Sequence, residues 1–190
     1  MKEGKKALRR SMRVLRDKIE DEVLEYKSQQ ICESVLRIPQ VVAAEVIFIY
    51  VSFRSEVQTH ALIDRLLTLD KRLCVPHIDR NDRMQAALLA NRQAMKPSAF
   101  GFLEPQACES EQGEIGVSIV PGLAFTQQGV RLGYGKGHYD RFFSSRLGGT
   151  KIGLALDAQI VEEIPTEPFD CPMDLVQTES NLFGSATQMS

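Results

Sequence analysis

Hydrophobic positions recur with a helical period near the start of the chain. Between Lys5 and Ile38, Leu8, Met12, Leu15, Ile19, Val23, Ile31 and Val35 are spaced mostly by three or four residues, which predicts amphipathic helix. One long helix or two shorter ones satisfy the pattern. Asp17 followed by Glu20, read as an N-cap and its carboxylate partner, favours a break between Asp17 and Asp21. The period then changes. Val46-Ile-Phe-Ile-Tyr-Val51 is a continuous β-branched and aromatic run, as expected of a strand covered on both faces within a parallel sheet. Further on, the pattern predicts helix from Thr59 to Leu69, strand from Leu73 to Pro76 and from Met84 to Leu89, and an irregular surface connection from Phe100 to Gly116. Val117 to Pro121 is expected as buried strand, His138 to Leu147 as helix, Lys151 to Leu156 as strand, and the tail after Asn181 as frayed.

Strands alternating with helices predict an α/β fold: one domain with a mostly parallel sheet flanked by helices, Rossmann-like and three-layered, with helices at its amino terminus. The helical segment is expected at about 5–38 and the α/β body at about 45–182. The chain of 190 residues, 43% hydrophobic, suffices for one such core. Ligands are expected beyond the carboxyl ends of the strands.

Composition narrows the function classes. A formal net charge of -2 excludes a globally basic surface for non-specific nucleic-acid binding, so any anion site must be local. Cys32, Cys74, Cys108 and Cys171 form no C-x-x-C pair, so neither a zinc knuckle nor a tight disulfide framework is indicated and a reducing cytoplasm fits best. No apolar run approaches the ~18 residues that a membrane span needs. The first eighteen residues carry eight Lys or Arg but lack the apolar stretch of a secretory signal. The partners expected are small molecules, with no nucleic acid and no membrane, and a monomer is compatible with the sequence.

The most informative segment is Arg131-Leu-Gly-Tyr-Gly-Lys-Gly-His-Tyr-Asp-Arg141, set between a buried strand and a helix. Gly133, Gly135 and Gly137 alternate, so the backbone can enter φ > 0 and turn successive N–H groups into one concavity. The helix start near His138 adds N–H groups and a positive dipole end. Lys136 can reach a phosphate as a point charge, and Arg131 can add a forked contact. Glycine-rich loops also serve as plain structural turns, and this one is neither a Walker A motif nor the dinucleotide fingerprint. Asp140 reads either as compensation for the helix dipole or as a ligand for magnesium.

With those residues in view, Pro121-Gly-Leu-Ala-Phe125 followed by Gly129-Val-Arg-Leu-Gly-Tyr-Gly-Lys-Gly-His-Tyr-Asp-Arg141 resembles the signature of the 5-formyltetrahydrofolate cyclo-ligase family. Lys5-Lys-Ala-Leu-Arg9 resembles the family's amino-terminal K-x-x-L-R, Ser52 to Thr59 its segment after the first strand, and Ile164-Pro165 with Phe169-Asp170 its closing element. The resemblance implies ATP-dependent closure of 5-formyltetrahydrofolate to 5,10-methenyltetrahydrofolate, with magnesium accompanying ATP. It implies that Lys5 and Arg9 contact ATP phosphates; taken alone, the pair is an ordinary solvated basic helix face. Arg131, Leu132, Gly133, Tyr134, Gly135, Lys136, Gly137, His138 and Tyr139 would wrap the nucleotide, with Arg131 and Lys136 also assisting the chemistry. Asp140 and Asp170 would hold magnesium. Val51, Glu56, His138 and Tyr139 would line the folate site, although Glu56 alone is only a loop carboxylate. The sequence departs from the pattern at His138, where the family usually has tyrosine, so changed affinity or pH dependence is expected there. His60 is expected at a helix start and His77 just past a strand, without metal-ligand spacing. Two other readings stay open: a non-catalytic ATP- or anion-binding regulatory module, and a sugar-phosphate or acyl-CoA enzyme on a related scaffold.

Overall fold

The helical period at the amino terminus resolves into two helices. The computed structural model, which describes residues 2–91, 95–97, 103–105, 109–146 and 148–184, places α1 at Lys2–Arg16 and α2 at Asp21–Val35. The predicted break is present but its predicted cap is not. Glu20 is the N-cap of α2 and makes no side-chain capping bond, while Asp17 accepts a hydrogen bond from Ser55 Oγ, tying α1 to a loop instead. Nor do all the periodic residues turn inward: Leu15 and Val23 are exposed, whereas Met12, Ile31 and Val35 are buried.

A short α3 (Pro39–Ala43) leads into β1 (Val46–Ile49), which is followed by α4 (His60–Thr68), β2 (Arg72–Ile78) and β3 (Met84–Leu89). A two-stranded ribbon pairs β4 (Met95–Pro97) with β5 (Leu103–Pro105), and β5 interrupts the segment expected to be irregular, whose residues 100–102 and 106–108 lie outside the described ones. The chain continues through β6 (Val117–Val120), a hairpin of β7 (Ala124–Phe125) and β8 (Arg131–Leu132), α5 (His138–Ser144), β9 (Thr150–Leu154), β10 (Leu175–Gln177) and β11 (Leu182–Gly184). His60 opens α4 as expected, but His77 lies within β2, paired with Gln85. α5 ends at Ser144, short of the predicted end at Leu147, a residue outside the described ones. The tail is not frayed after Asn181. Leu182–Gly184 pairs antiparallel with β10, and only residues 185–190 lie outside the described part.

The main sheet has seven strands in the order β11-β10-β9-β6-β1-β2-β3. The five inner strands are parallel, and β3 and β11 close the two edges antiparallel. The apolar run in β1 is buried on both faces, and its two sets of alternate residues face different layers. Ile47 and Ile49 join Leu24, Ile31, Leu62, Ile63 and Leu66 of α2 and α4, while Val46 and Phe48 join Phe142 of α5 on the opposite face. This is the expected three-layer α/β arrangement. α1 stands apart from both layers. Its Leu8 and Met12 pack against Leu123, Ala124 and Leu132 around the β7–β8 hairpin, beyond the carboxyl end of β6. No described helix is long and apolar enough to cross a membrane.

Candidate active site

The adjacent strands β1 and β6 end beside one another, and each is followed by a loop that the fold holds firmly. After β1, Thr59 is fully buried and donates from Oγ1 to the Tyr50 carbonyl (2.8 Å), while its N–H donates to Ser52 Oγ (3.1 Å). Tyr50 Oη donates to the Val57 carbonyl (2.7 Å). These bonds shape residues 51–59, which carry Val51 and Glu56. After β6, the β7–β8 hairpin turns the chain back so that Arg131 leads directly into the glycine loop. Only part of the alternating-glycine expectation holds. Gly135 (φ 102°) and Gly137 (φ 67°) occupy positive φ, but Gly133 does not. Gly133 serves a close approach instead, since a Cβ there would lie 2.8 Å from Arg131 Nη1.

The basic residues converge on this loop. Arg9 donates from Nε to the Gly133 carbonyl (2.9 Å). Arg131 is buried, donates from Nη2 to Asp140 Oδ1 (2.9 Å), and lays its guanidinium 5.3 Å from the centre of the Tyr139 ring. Its Nε is buried without a hydrogen-bond partner among the described residues. Leu132 is buried beneath the loop, and Lys136 is exposed at its tip with its carbonyl accepting from Arg141 Nη1 (2.7 Å). Lys5 differs from expectation in its surroundings. It is buried, and its ammonium donates to Asp170 Oδ2 (2.6 Å) and Glu167 Oε2 (3.1 Å). Burial pulls its pKa down, but the bonds and charges of those two carboxylates outweigh burial and hold it above the ordinary lysine value.

His138, where the resemblance leads one to expect tyrosine, joins its Nε2 to Asp82 Oδ1 (2.9 Å) on the turn between β2 and β3. That hydrogen bond, above all, holds the Asp82 carboxyl below its ordinary range. The far edge of the sheet is thereby tied to the start of α5.

On the loop after β1, Val51 packs against the main core and Glu56 accepts two hydrogen bonds. Phe53 N–H donates to its Oε2 (3.0 Å) and Tyr134 Oη donates to its Oε1. Burial is the leading influence on Glu56 and leaves its carboxyl above the usual range, against the pull of those two bonds and of Arg16. The hydroxyl of Tyr134 therefore points at the carboxylate that the resemblance assigns to folate. Tyr139 packs between Phe48 and Phe143, and burial keeps its phenol protonated well above the usual range.

Asp140 and Asp170 are close enough to share a neighbour: Cys171 N–H donates to Asp140 Oδ1 (3.3 Å). Among the described residues no group of three or more His, Cys, Asp or Glu is arranged to hold a metal. Magnesium accompanying ATP needs fewer protein ligands. One or two carboxylates suffice, the remaining positions going to phosphate oxygens and water, so two hard oxygen donors beside the glycine loop fit that ion.

Several residues of this constellation escaped the sequence reading: Arg16, Ser55, Glu167, Asp82 and Arg141. A signal for Arg16 was present. Lys5, Arg9, Met12 and Arg16 follow one another at spacings of four, three and four, one helix face, and three of them are buried.

Comparisons with known proteins show the family. A sequence model of the 5-formyltetrahydrofolate cyclo-ligase family matches residues 1–179. A probable 5-formyltetrahydrofolate cyclo-ligase of Caenorhabditis elegans is 29% identical over 191 residues, covering 93% of this chain and 93% of its own. The 5-formyltetrahydrofolate cyclo-ligase of Escherichia coli K12 is 29% identical over 166 residues, covering 82% of this chain and 89% of its own. Among solved structures, the 5,10-methenyltetrahydrofolate synthetase of Aquifex aeolicus superposes with a TM-score of 0.87 at 28% identity, covering 98% of this chain and 95% of that one. With the glycine loop, the paired carboxylates and the amino-terminal basic face gathered at one end of an α/β sheet, the chain belongs to the 5-formyltetrahydrofolate cyclo-ligase family.

Proposed function

We propose that this chain uses Mg-ATP to close 5-formyltetrahydrofolate into 5,10-methenyltetrahydrofolate, releasing ADP and phosphate. One observation carries the reading. Residues from α1, from the loop after β1, from the glycine loop and from the segment before β10 meet at one place, although Lys5 and Asp170 are separated by 165 positions. A regulatory anion module would need the glycine loop but would have no use for Glu56 held beside it.

The chemistry suits a site without a protein nucleophile. A formamide oxygen leaves poorly. Transfer of the terminal phosphoryl group of ATP to that oxygen breaks the bond to ADP and makes a phosphate leaving group. Folate N10 then forms a bond to the activated carbon, loses its proton, and phosphate departs. The protein positions two substrates and stabilises charge on the phosphoryl oxygens. Arg131, buried beneath the loop and anchored on Asp140, would set its positive charge behind the phosphates, and exposed Lys136 would supply the point contact. Arg9 holds the loop by the Gly133 carbonyl and keeps further donors for the triphosphate. Glu56, as an ionised acceptor, suits the N–H groups of a pterin, and Val51 supplies an apolar wall. Magnesium, when bound through Asp140 and Asp170, would neutralise phosphate charge. Lys5 would then hold Asp170 in place as well as face the anion.

Purified protein mixed with 5-formyltetrahydrofolate and Mg-ATP should produce the methenyl product and ADP in equal amounts. Product without ATP consumption, or ADP without product, contradicts the assignment. Asp140→Asn should raise the magnesium concentration needed for half-maximal rate; superimposable magnesium titrations would assign Asp140 to anchoring Arg131 alone. A reducing, cytosolic setting is proposed, supported by Cys32, Cys74 and Cys171 all being free thiols.

A further inference from the structure

Arg16 closes the buried face of α1, and nothing in the proposed reaction has yet required it. Its side chain is almost wholly buried, which for a permanently charged group demands a reason. Its hydrogen bonds run to three separate segments. Nε donates to Ser55 Oγ (3.1 Å) on the loop that carries Glu56, and Nη1 donates to Tyr134 Oη (2.8 Å) on the glycine loop. Nη1 also reaches the Gly122 carbonyl (3.5 Å) just beyond β6. All three acceptors are neutral. The charge is answered one bond further on, because Tyr134 Oη donates its own hydrogen bond to Glu56 Oε1. Arg16, Tyr134 and Glu56 thus form a directed chain. The guanidinium donates to the phenol oxygen, which orients the phenol proton at the carboxylate. Without Arg16 the Tyr134 hydroxyl keeps Glu56 as its acceptor but loses the donor that fixes its oxygen, and Ser55 loses one of its two tethers.

We propose that Arg16 is a positioning residue for folate recognition, holding Tyr134 and, through it, Glu56 in the geometry that accepts the pterin. The inference rests on the proposed cyclo-ligase reading and deepens it. It also gives Tyr134 a role at the folate end of its loop. The groups facing Glu56 are Arg16 from α1, Tyr134 from the glycine loop, Tyr50 from the end of β1 and Tyr139 from α5; Arg16 is the cation among them. It opposes the upward pull of burial on Glu56, so its loss should leave less of the carboxyl ionised at a given pH.

The test compares the parent enzyme with Arg16→Met, Arg16→Lys, Tyr134→Phe and the Arg16→Met/Tyr134→Phe double variant, using 5-formyltetrahydrofolate and Mg-ATP. Arg16→Met should raise KM for the folate by about tenfold to a hundredfold, the loss typical of a hydrogen bond to a charged group, with KM for ATP changed less than about twofold. The acid limb of kcat/KM for the folate should move to higher pH. Arg16→Lys should restore that limb but not the full affinity, because lysine keeps the charge and loses the fork. The double variant should be little worse than Arg16→Met alone, as for links in series. An unmoved acid limb, an equal rise in both KM values, or additive single losses would overturn the proposal and leave Arg16 as a packing residue. If Arg16→Met does not fold by thermal melting, Tyr134→Phe decides: an unchanged KM for the folate overturns the proposal. An inactive parent would instead refute the cyclo-ligase reading itself.

Discussion

Lys136 and Glu56 test the two ends of the site separately. Lys136 lies exposed at the tip of the glycine loop, so Lys136→Ala should leave the melting temperature within experimental error while turnover falls roughly a hundredfold to a thousandfold, as for removal of one charge-stabilising donor. Retained ATP-dependent turnover would remove its catalytic role. Glu56 behaves in the opposite way. Burial, first among its influences, holds its carboxyl above the ordinary range, so in the ionised state it costs the fold some stability. The sign follows from linkage. The cost is absent below the unfolded carboxylate pKa, near 4, and grows as pH rises from there through the higher folded value. Glu56→Gln should therefore abolish folate turnover yet match or exceed the parent in thermal stability at pH 7, with the difference vanishing near pH 3. A parent clearly more stable than the variant at pH 7 would contradict this. The sequence made both residues visible, Lys136 through its glycines and Glu56 through family resemblance. What it hid was their company, since the hydrogen bond from Tyr134 to Glu56 spans 78 positions and no local period encodes it.

The glycine loop is legible as an element because backbone freedom is written in residue type. Gly135 at φ 102° sits 3.5 Å, measured from an added Cβ, from the Arg9 guanidinium. Gly135→Ala should cost on the order of 1–3 kcal/mol of local strain and raise KM for ATP several-fold, with the folate KM less affected. Equal kinetics in variant and parent would mean that this φ has no bearing on nucleotide binding. Elements defined by long, one-sided or fully apolar patterns were read well: α1, α2, β1, α4 and β6 all appear within a few residues of expectation. Elements whose existence depends on a distant partner were not. β11 is three residues long and forms only because β10 offers it an edge, and β4 with β5 form a ribbon of the same kind. The capping expectation at Asp17 failed for a related reason. Its carboxylate found Ser55, a tertiary partner, and was not left for the adjacent backbone.

Across the whole molecule, the site is a closure between the two ends of the chain. Lys5 is buried between Asp170 and Glu167, carboxylates that are each about one-fifth exposed. Lys5→Met should lower unfolding free energy by about 1–3 kcal/mol, because two carboxylates lose their shared donor. Chemical denaturation with an unchanged slope measures it, and a loss under about 0.5 kcal/mol would show the cluster to be structurally idle. This closure was the part least legible in the sequence, which displays a basic face on α1 and an acidic motif near residue 170 without stating that they meet.

The same closure bears on how the protein is made. Translation at ~5–20 residues per second puts on the order of ten to thirty seconds between the emergence of Lys5 and that of Asp170. Lys5 therefore leaves the ribosome long before its carboxylate acceptors, whereas Arg16 meets Ser55 only 39 positions further on and Tyr134 118 positions on.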